Sequence, residues 1–202
     1  MTQENLQQIL GFIFNEYLLM SDEELEQWQE NPEEFINEDG TATDAWKYNY
    51  RACAETLFQA FVHEYHDLVV PIVVELIKNY SVIQPSDAKN VAKQNGFENG
   101  NSQSTSKIER YILLKDASYN CASIAAWELV THVDFDVWFS QSLLSEIQNP
   151  ECHILIKRRI LILISNWVNI KMSQENRPLC YDLLCKCLQP TEDFVIRLQV
   201  IY

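Results

Sequence analysis

The chain has 202 residues, of which 47% are hydrophobic, and carries a formal net charge of −14. Its 4 glycines and 6 prolines are too few turn residues for a protein of many strands, so the composition favours long helices. The negative charge argues against binding to nucleic acid. Six cysteines without a recognisable secretion signal indicate reduced thiols in a cytosolic or nuclear protein.

Residues 1–44 are predicted to form a helical segment with an acidic loop, with helices near 3–19 and 22–30. The first fifty residues contain twelve acidic residues and one basic residue, which together account for −11 of the total charge of −14. The sequence Ser21-Asp-Glu-Glu has the form of a capping box and predicts a helix start. It also matches an acid-directed kinase site, but the capping box explains the pattern without any modification.

Residues 45–83 are predicted to form one HEAT-like helix pair. Apolar residues recur at helical spacing along two consecutive stretches, 45–66 and 68–82. Pro71 suits the first turn of the second helix, where its missing N–H has no energetic consequence. Residues 84–106 are rich in Ser, Asn, Gln and Lys and predict a flexible polar insert.

Residues 107–202 predict further HEAT-like helix pairs, the last of them truncated. Asp134 is a candidate N-cap, and Pro178 suits a first helical turn. The most apolar stretch, 160–170, has 11 residues, well short of the ~20 that a membrane span needs, so no membrane insertion is expected. The predicted helices cover 108–131, 135–148, 153–171 and 176–189, and another begins after residue 191.

An internal repeat supports a solenoid. The segments PIVVELI at 71–77 and PLCYDLL at 178–184 share a proline, an aliphatic residue, two variable positions, an acid, a leucine and an aliphatic residue. The prolines are 107 residues apart, and leaving out the 23-residue insert gives two periods of 42. Periods of ~40–47 residues are typical of HEAT and armadillo repeats. The predicted fold class is all-α, an α-solenoid of HEAT/armadillo-type antiparallel helix pairs whose stacked surface binds proteins.

The acidic run is the main candidate for a protein-partner surface. Its field would attract the basic surfaces of partner proteins and would be weakened by salt, and Trp28 and Phe35 would add contact area. The alternative is that the acidic run is a solvent-exposed helix and loop without a partner, whose charges serve only to keep the protein soluble. The candidate surface comprises Asp22, Glu23, Glu24, Glu26, Trp28, Glu33, Glu34, Glu38 and Asp39.

No catalytic, cofactor or metal site is predicted, and the chain is not expected to be an enzyme. His63 and His66 are three residues apart, whereas the helical zinc-protease motif needs histidines four apart. The three C-terminal cysteines form no C-x-x-C pair and are interpreted as small buried hydrophobic residues. They are Cys180, Cys185 and Cys187.

Several segments resemble the importin-β (karyopherin-β) family of nuclear transport receptors. Residues 20–35, MSDEELEQWQENPEEF, carry a serine, acids, a leucine, a tryptophan and a proline-acid-acid turn in the family's order. The resemblance covers nearly the whole chain except residues 84–106, and it corresponds to a middle part of a much longer receptor. The segments that resemble the importin-11 branch of the family are 46–58, 63–65, 115–120, 133–139 and 157–160.

The resemblance implies a segment of a receptor that imports cargo proteins through the nuclear pore under the control of Ran-GTP, without a cofactor. Its implied partners are cargo proteins and, in the full-length parent, the GTPase Ran and nucleoporins. The implied location is the cytoplasm, the nucleus and the nuclear pore. The family's amino-terminal repeats that hold Ran have no counterpart in this chain. The alternative function is a HEAT scaffold or regulatory subunit without a transport role.

The resemblance also implies a charge ladder between adjacent repeats. Residues 193–197, DFVIR, look like the acid-to-arginine signature of a HEAT repeat. The basic cluster at 157–159 is expected to pair within the protein, with an acidic partner as the alternative. The implied ladder comprises Lys157, Arg158, Arg159, Asp193 and Arg197.

Overall fold

Helices make up the regular structure of this chain. The computed structural model describes residues 3–41, 49–81 and 108–201, and these ranges contain no strand. The predicted all-α fold class is therefore confirmed. The insert predicted at 84–106 lies outside the described residues, as does 42–48.

The first helix, α1, continues into a π-helical turn, and two short acidic helices follow. Their bounds are Gln3–Phe12 for α1, Ile13–Tyr17 for the π-turn, Asp22–Glu30 for α2 and Pro32–Thr41 for α3. Ser21 Oγ accepts a hydrogen bond from the Glu24 N–H at 3.2 Å, and Glu24 Oε2 accepts one from the Ser21 N–H at 2.8 Å. These two bonds confirm the predicted capping box, which fixes the start of α2.

The remaining helices stack in chain order. Helix α5 packs against α6, α6 packs against α10, and α10 packs against α12. Successive members of this row, α5, α6, α10 and α12, bury apolar side chains against one another, which is the packing of an α-solenoid. The bounds are α4 Tyr50–Glu64, α5 His66–Ser81, α6 Arg110–Ile124, α7 Ala126–Leu129, α8 Phe135–Trp138, a π-turn Phe139–Leu143, α9 Leu144–Gln148, α10 Ile154–Lys171, α11 Arg177–Cys187 and α12 Phe194–Ile201.

The two prolines of the internal repeat occupy different helical positions. Pro178 is the second residue of α11 and confirms the predicted first-turn placement. The same prediction for Pro71 is wrong, because Pro71 lies at the sixth position of α5. Helix α5 begins earlier than predicted since the Tyr65 carbonyl accepts hydrogen bonds from the Leu68 and Val69 N–H groups, at 3.0 and 2.9 Å. Pro71 is tolerated in the second turn at the loss of one helical hydrogen bond.

A π-helical turn corrects the register of the helix that runs from α8 to α9. The buried residues Phe135, Phe139, Leu143 and Ile147 lie at intervals of four. In an α-helix, four residues overshoot one full turn by ~40°, so this stripe would rotate away from the core. The wider turn at Phe139–Leu143 reverses part of that drift. Asp134 Oδ1 accepts a hydrogen bond from the Val137 N–H at 3.3 Å, which confirms the predicted N-cap.

Helix α10 lies in the middle of the stack and is buried on several sides, as predicted from its apolar sequence. Its Trp167 is fully buried, and its indole N–H donates a hydrogen bond to the Ala122 carbonyl at 3.0 Å. The indole also stacks on Phe135, with ring centroids 4.9 Å apart and planes 11° apart. Trp167 therefore joins α10 to both α6 and α8. Among the described residues, no helix is long and apolar enough to cross a bilayer.

Candidate protein-binding surface

The acidic helix pair, defined as α2 and α3, presents most of its carboxylates to solvent. Helix α2 has three acids in its first turn, where the positive end of the helix dipole favours them. The side chains of Glu38 and Asp39 lie outside the described part of the chain. The exposed acids of the predicted surface are Asp22, Glu23, Glu26, Glu33 and Glu34.

Glu24 is a structural residue, although the sequence placed it on the partner surface. It is 8% exposed. Besides capping α2, its Oε1 accepts hydrogen bonds from Arg51 Nε at 2.7 Å and from Asn49 Nδ2 at 3.2 Å. Because its carboxylate is satisfied within the protein, Glu24 joins α2 to the start of α4.

The structure also corrects the placement of Trp28 and Phe35, which lie in the core and not on a contact surface. Their rings meet edge to face, with centroids 5.6 Å apart. The guanidinium carbon of Arg158, on α10, lies 5.7 Å from the Trp28 ring centre and 5.4 Å from that of Phe35. Arg158 is itself only 3% exposed. A desolvated guanidinium over aromatic faces is attractive, so Arg158 attaches the acidic helix pair to α10.

A polar network continues from this attachment through the solenoid. Arg51 Nη1 lies 3.4 Å from Glu55 Oε1, which also accepts a hydrogen bond from Asn120 Nδ2 at 2.6 Å. Asn120 Oδ1 accepts one from Arg159 Nη1 at 2.8 Å. Arg159 then binds Asp116 through two parallel bonds of 2.7 and 3.2 Å. The network links α4, α6 and α10.

The predicted basic residues of the charge ladder thus have three separate structural roles. Arg158 contacts aromatic rings, Arg159 pairs with Asp116, and Lys157 Nζ lies 3.3 Å from Glu192 Oε1. Lys157 and Arg159 therefore connect α10 to elements on either side of it.

The acidic end of the predicted ladder behaves differently. Asp193 Oδ1 accepts a hydrogen bond from the Val195 N–H at 2.8 Å, at the start of α12. The Arg197 guanidinium lies 5.7 Å from the centre of the Phe194 ring. Within the described ranges, no ion pair joins Asp193 to Arg197.

Sequence reasoning missed Arg51, Asp116 and Asn120 as members of the network. All three lie within segments quoted for the family resemblance, 46–58 and 115–120. A further signal was available, because polar residues fall on helix faces that are otherwise apolar. Buried ionised groups need partners, so a charged residue on an apolar helix face predicts a buried ion pair or hydrogen bond.

A groove of about 720 Å³ lies beside the acidic helix pair. Residues of α3, α10, α11 and α12 line it, together with the polar network. Its arginines face Glu24, Asp116 or aromatic rings, so the charges inside it largely compensate one another. Exposed amide and aromatic side chains complete the lining at Asn166, Asn169 and Tyr181.

The histidines and cysteines form no metal-binding cluster among the described residues. In the described part of the chain, no three His, Cys, Asp or Glu side chains converge on a point that could hold a metal ion. Cys180 and Cys187 are buried, and burial raises the pKa of both thiols, which lowers their reactivity. The prediction of burial is wrong for Cys185, which lies on α11 and is exposed.

The stacked helix pairs define the class of the protein as an α-solenoid. Over 199 residues the chain is 34% identical to importin-11 of Mus musculus and to importin-11 of Homo sapiens. It is 30% identical over 189 residues to the importin beta-like protein KAP120 of Saccharomyces cerevisiae. These alignments cover 98% of this chain for importin-11 and 92% for KAP120.

A solved structure of a bidirectional nuclear transport receptor of S. cerevisiae superposes with a TM-score of 0.76 and 27% identity. It matches 99% of this chain and 18% of that receptor. No protein-family model matches the chain. The chain spans 18% of the length of the two importin-11 proteins and 16% of KAP120. The chain belongs to the importin-β family of nuclear transport receptors, and it corresponds to a segment of these longer proteins.

Proposed function

We propose that this chain is a protein-binding segment of a nuclear transport receptor that imports cargo proteins under the control of Ran-GTP. The observation that carries the proposal is the similarity to importin-11 along 98% of the chain, supported by the same fold in a transport receptor. The segment acts by binding and not by catalysis. Its parent moves between cytoplasm and nucleus and passes the nuclear pore, where nucleoporins are its further partners.

The exposed carboxylates of the acidic helix pair supply the surface for a basic cargo. Asp22, Glu23, Glu26, Glu33 and Glu34 are exposed, and their field accelerates the encounter with a positively charged patch. Glu24 and Trp28 act beneath this surface, since they hold the acidic helix pair on the solenoid. Cargo recognition therefore rests on the solvent-facing acids and not on the aromatic residues.

The transport role is tested by a pull-down of Ran-GTP and of phenylalanine-glycine nucleoporin repeats with a full-length receptor that contains this segment. We expect both to be retained, with Ran-GDP retained far less than Ran-GTP. A full-length protein that retains neither would instead be a HEAT scaffold or regulatory subunit.

Reversing exposed charges tests the acidic surface. We expect Glu23→Lys, Glu26→Lys and Glu33→Lys together to weaken binding of a lysine-rich peptide at low salt by at least about threefold, because each exposed pair contributes about 0.2–1 kcal/mol. Fluorescence anisotropy across a salt series measures the change, which shrinks as salt screens the charges.

The matched control reverses three exposed acids elsewhere, Glu75, Glu151 and Glu175, so that the net charge changes by the same amount. Equal losses of affinity in the two triple variants would show that the peptide responds to overall charge, and the acidic helix pair would then have no special role.

A further inference from the structure

The acidic helix pair makes contacts that a plain solenoid does not have. In a solenoid each repeat touches only its neighbours. Here α2 is tied to α4 through the Glu24–Arg51 ion pair, at 2.7 Å. Both α2 and α3 are tied to α10 through Arg158, and α3 also contacts α12. One short element therefore touches three helices that are distributed along the whole stack.

These contacts are buried. Arg51 is 6% exposed and Arg158 is 3% exposed, while Trp28 and Phe35 are 6% and 4% exposed. Solvent and salt have little access to such contacts, in contrast to the carboxylates on the outer side of the same helices. The inner side of the acidic helix pair is thus built for attachment.

We propose that the acidic helix pair is an intramolecular strap that holds the α4–α5 pair at a fixed distance from the α11–α12 pair. The curvature of a solenoid is the sum of small rotations between successive repeats. A link from α4 to α10 and α12 restrains the curvature. The helix pairs between them cannot rotate further relative to one another without stretching that link. This role is independent of any partner and of the proposed transport function.

Two native cysteines report on the strap directly. Cys53 lies on α4, Cys185 lies on α11, and both are exposed. In a Cys152→Ala background, which removes the one half-buried thiol, spin labels on Cys53 and Cys185 measure the distance across the strapped region. We expect a single narrow distance distribution, which becomes broad and gains longer distances in Arg158→Ala.

Hydrogen exchange on the same proteins reports whether the strap is released. Arg158→Ala should raise amide exchange in α2 and α3 about tenfold, the factor that ~1.4 kcal/mol of local stability represents. Phe35→Leu keeps an apolar side chain but removes one ring beneath Arg158, so it folds and should give a smaller change of the same kind. Arg110→Ala is the control, because the exposed Arg110 contacts Glu16 and the Asn15 carbonyl in the π-turn after α1 and is not part of the Arg158 attachment.

The two measurements together decide the proposal. Faster exchange in α2 and α3 with an unchanged distance distribution would overturn it, since the pair would then be released without any effect on curvature. Unchanged exchange in both variants would also overturn it, since Arg158 would not be holding the pair. If Arg158→Ala does not fold, Phe35→Leu decides by the same criteria.

Discussion

Replacing Asp116 by alanine is expected to lower the free energy of unfolding by about 3–5 kcal/mol, because it leaves the guanidinium of Arg159 buried without its counter-charge. The side chains of the pair are 3% and 4% exposed, and their atoms approach to 2.7 Å. Asn120 Oδ1 still accepts one hydrogen bond from Arg159, but a neutral amide cannot replace the carboxylate. Urea unfolding followed by circular dichroism measures the loss.

Two controls separate the buried charge from the contact itself. Arg110→Ala removes an exposed arginine whose distance to Glu16 is 3.8 Å, and it should cost less than about 1 kcal/mol. The double variant Asp116→Leu with Arg159→Met should recover most of the stability, since it removes both charges. A double variant as unstable as Asp116→Ala would show that packing, and not an unpaired charge, dominates at this site.

Replacing Trp167 by alanine is expected to destabilise the protein by about 3–5 kcal/mol, the range for truncating a large buried aromatic side chain. The indole is fully buried, stacks on Phe135 and donates to the Ala122 carbonyl. The variant therefore loses packing between three helices and the hydrogen bond that the Ala122 carbonyl accepts from the indole. Thermal or urea denaturation shows the shift.

The chain contains a matched control for this variant. Trp127, on α7, is 72% exposed, and Trp127→Ala should change stability by no more than about 0.5 kcal/mol. Similar losses at the two tryptophans would contradict the solenoid packing, in which α10 is enclosed by neighbours on several sides and Trp127 faces solvent.

Local chemistry made much of the helical layout predictable. The capping box at Ser21 and the N-cap at Asp134 involve residues only three apart, so their hydrogen bonds follow from local sequence. The errors at the helix ends have an equally local cause. Helix α5 begins two residues earlier than the predicted 68, because the single residue Tyr65 suffices as a junction between α4 and α5.

The candidate surface was only half predictable. The sequence of α2 and α3 shows that acids are concentrated there, but it does not show which of them face solvent. Glu23 and Glu24 are adjacent and chemically identical, yet one is exposed and the other is paired with Arg51. That difference depends on where α4 lies, which is a property of the assembled solenoid.

The sequence by itself determined that the chain is helical, that its apolar stripes require stacked neighbours, and that its negative charge gathers in the first fifty residues. These properties follow from periodicity and composition, which act over a few helical turns. Only the tertiary structure decided that Arg158 lies over Trp28 and Phe35, and that Arg159 pairs with Asp116. Those contacts join residues far apart in the chain, and the partner of a buried charge is chosen by the packing of the helices that carry it.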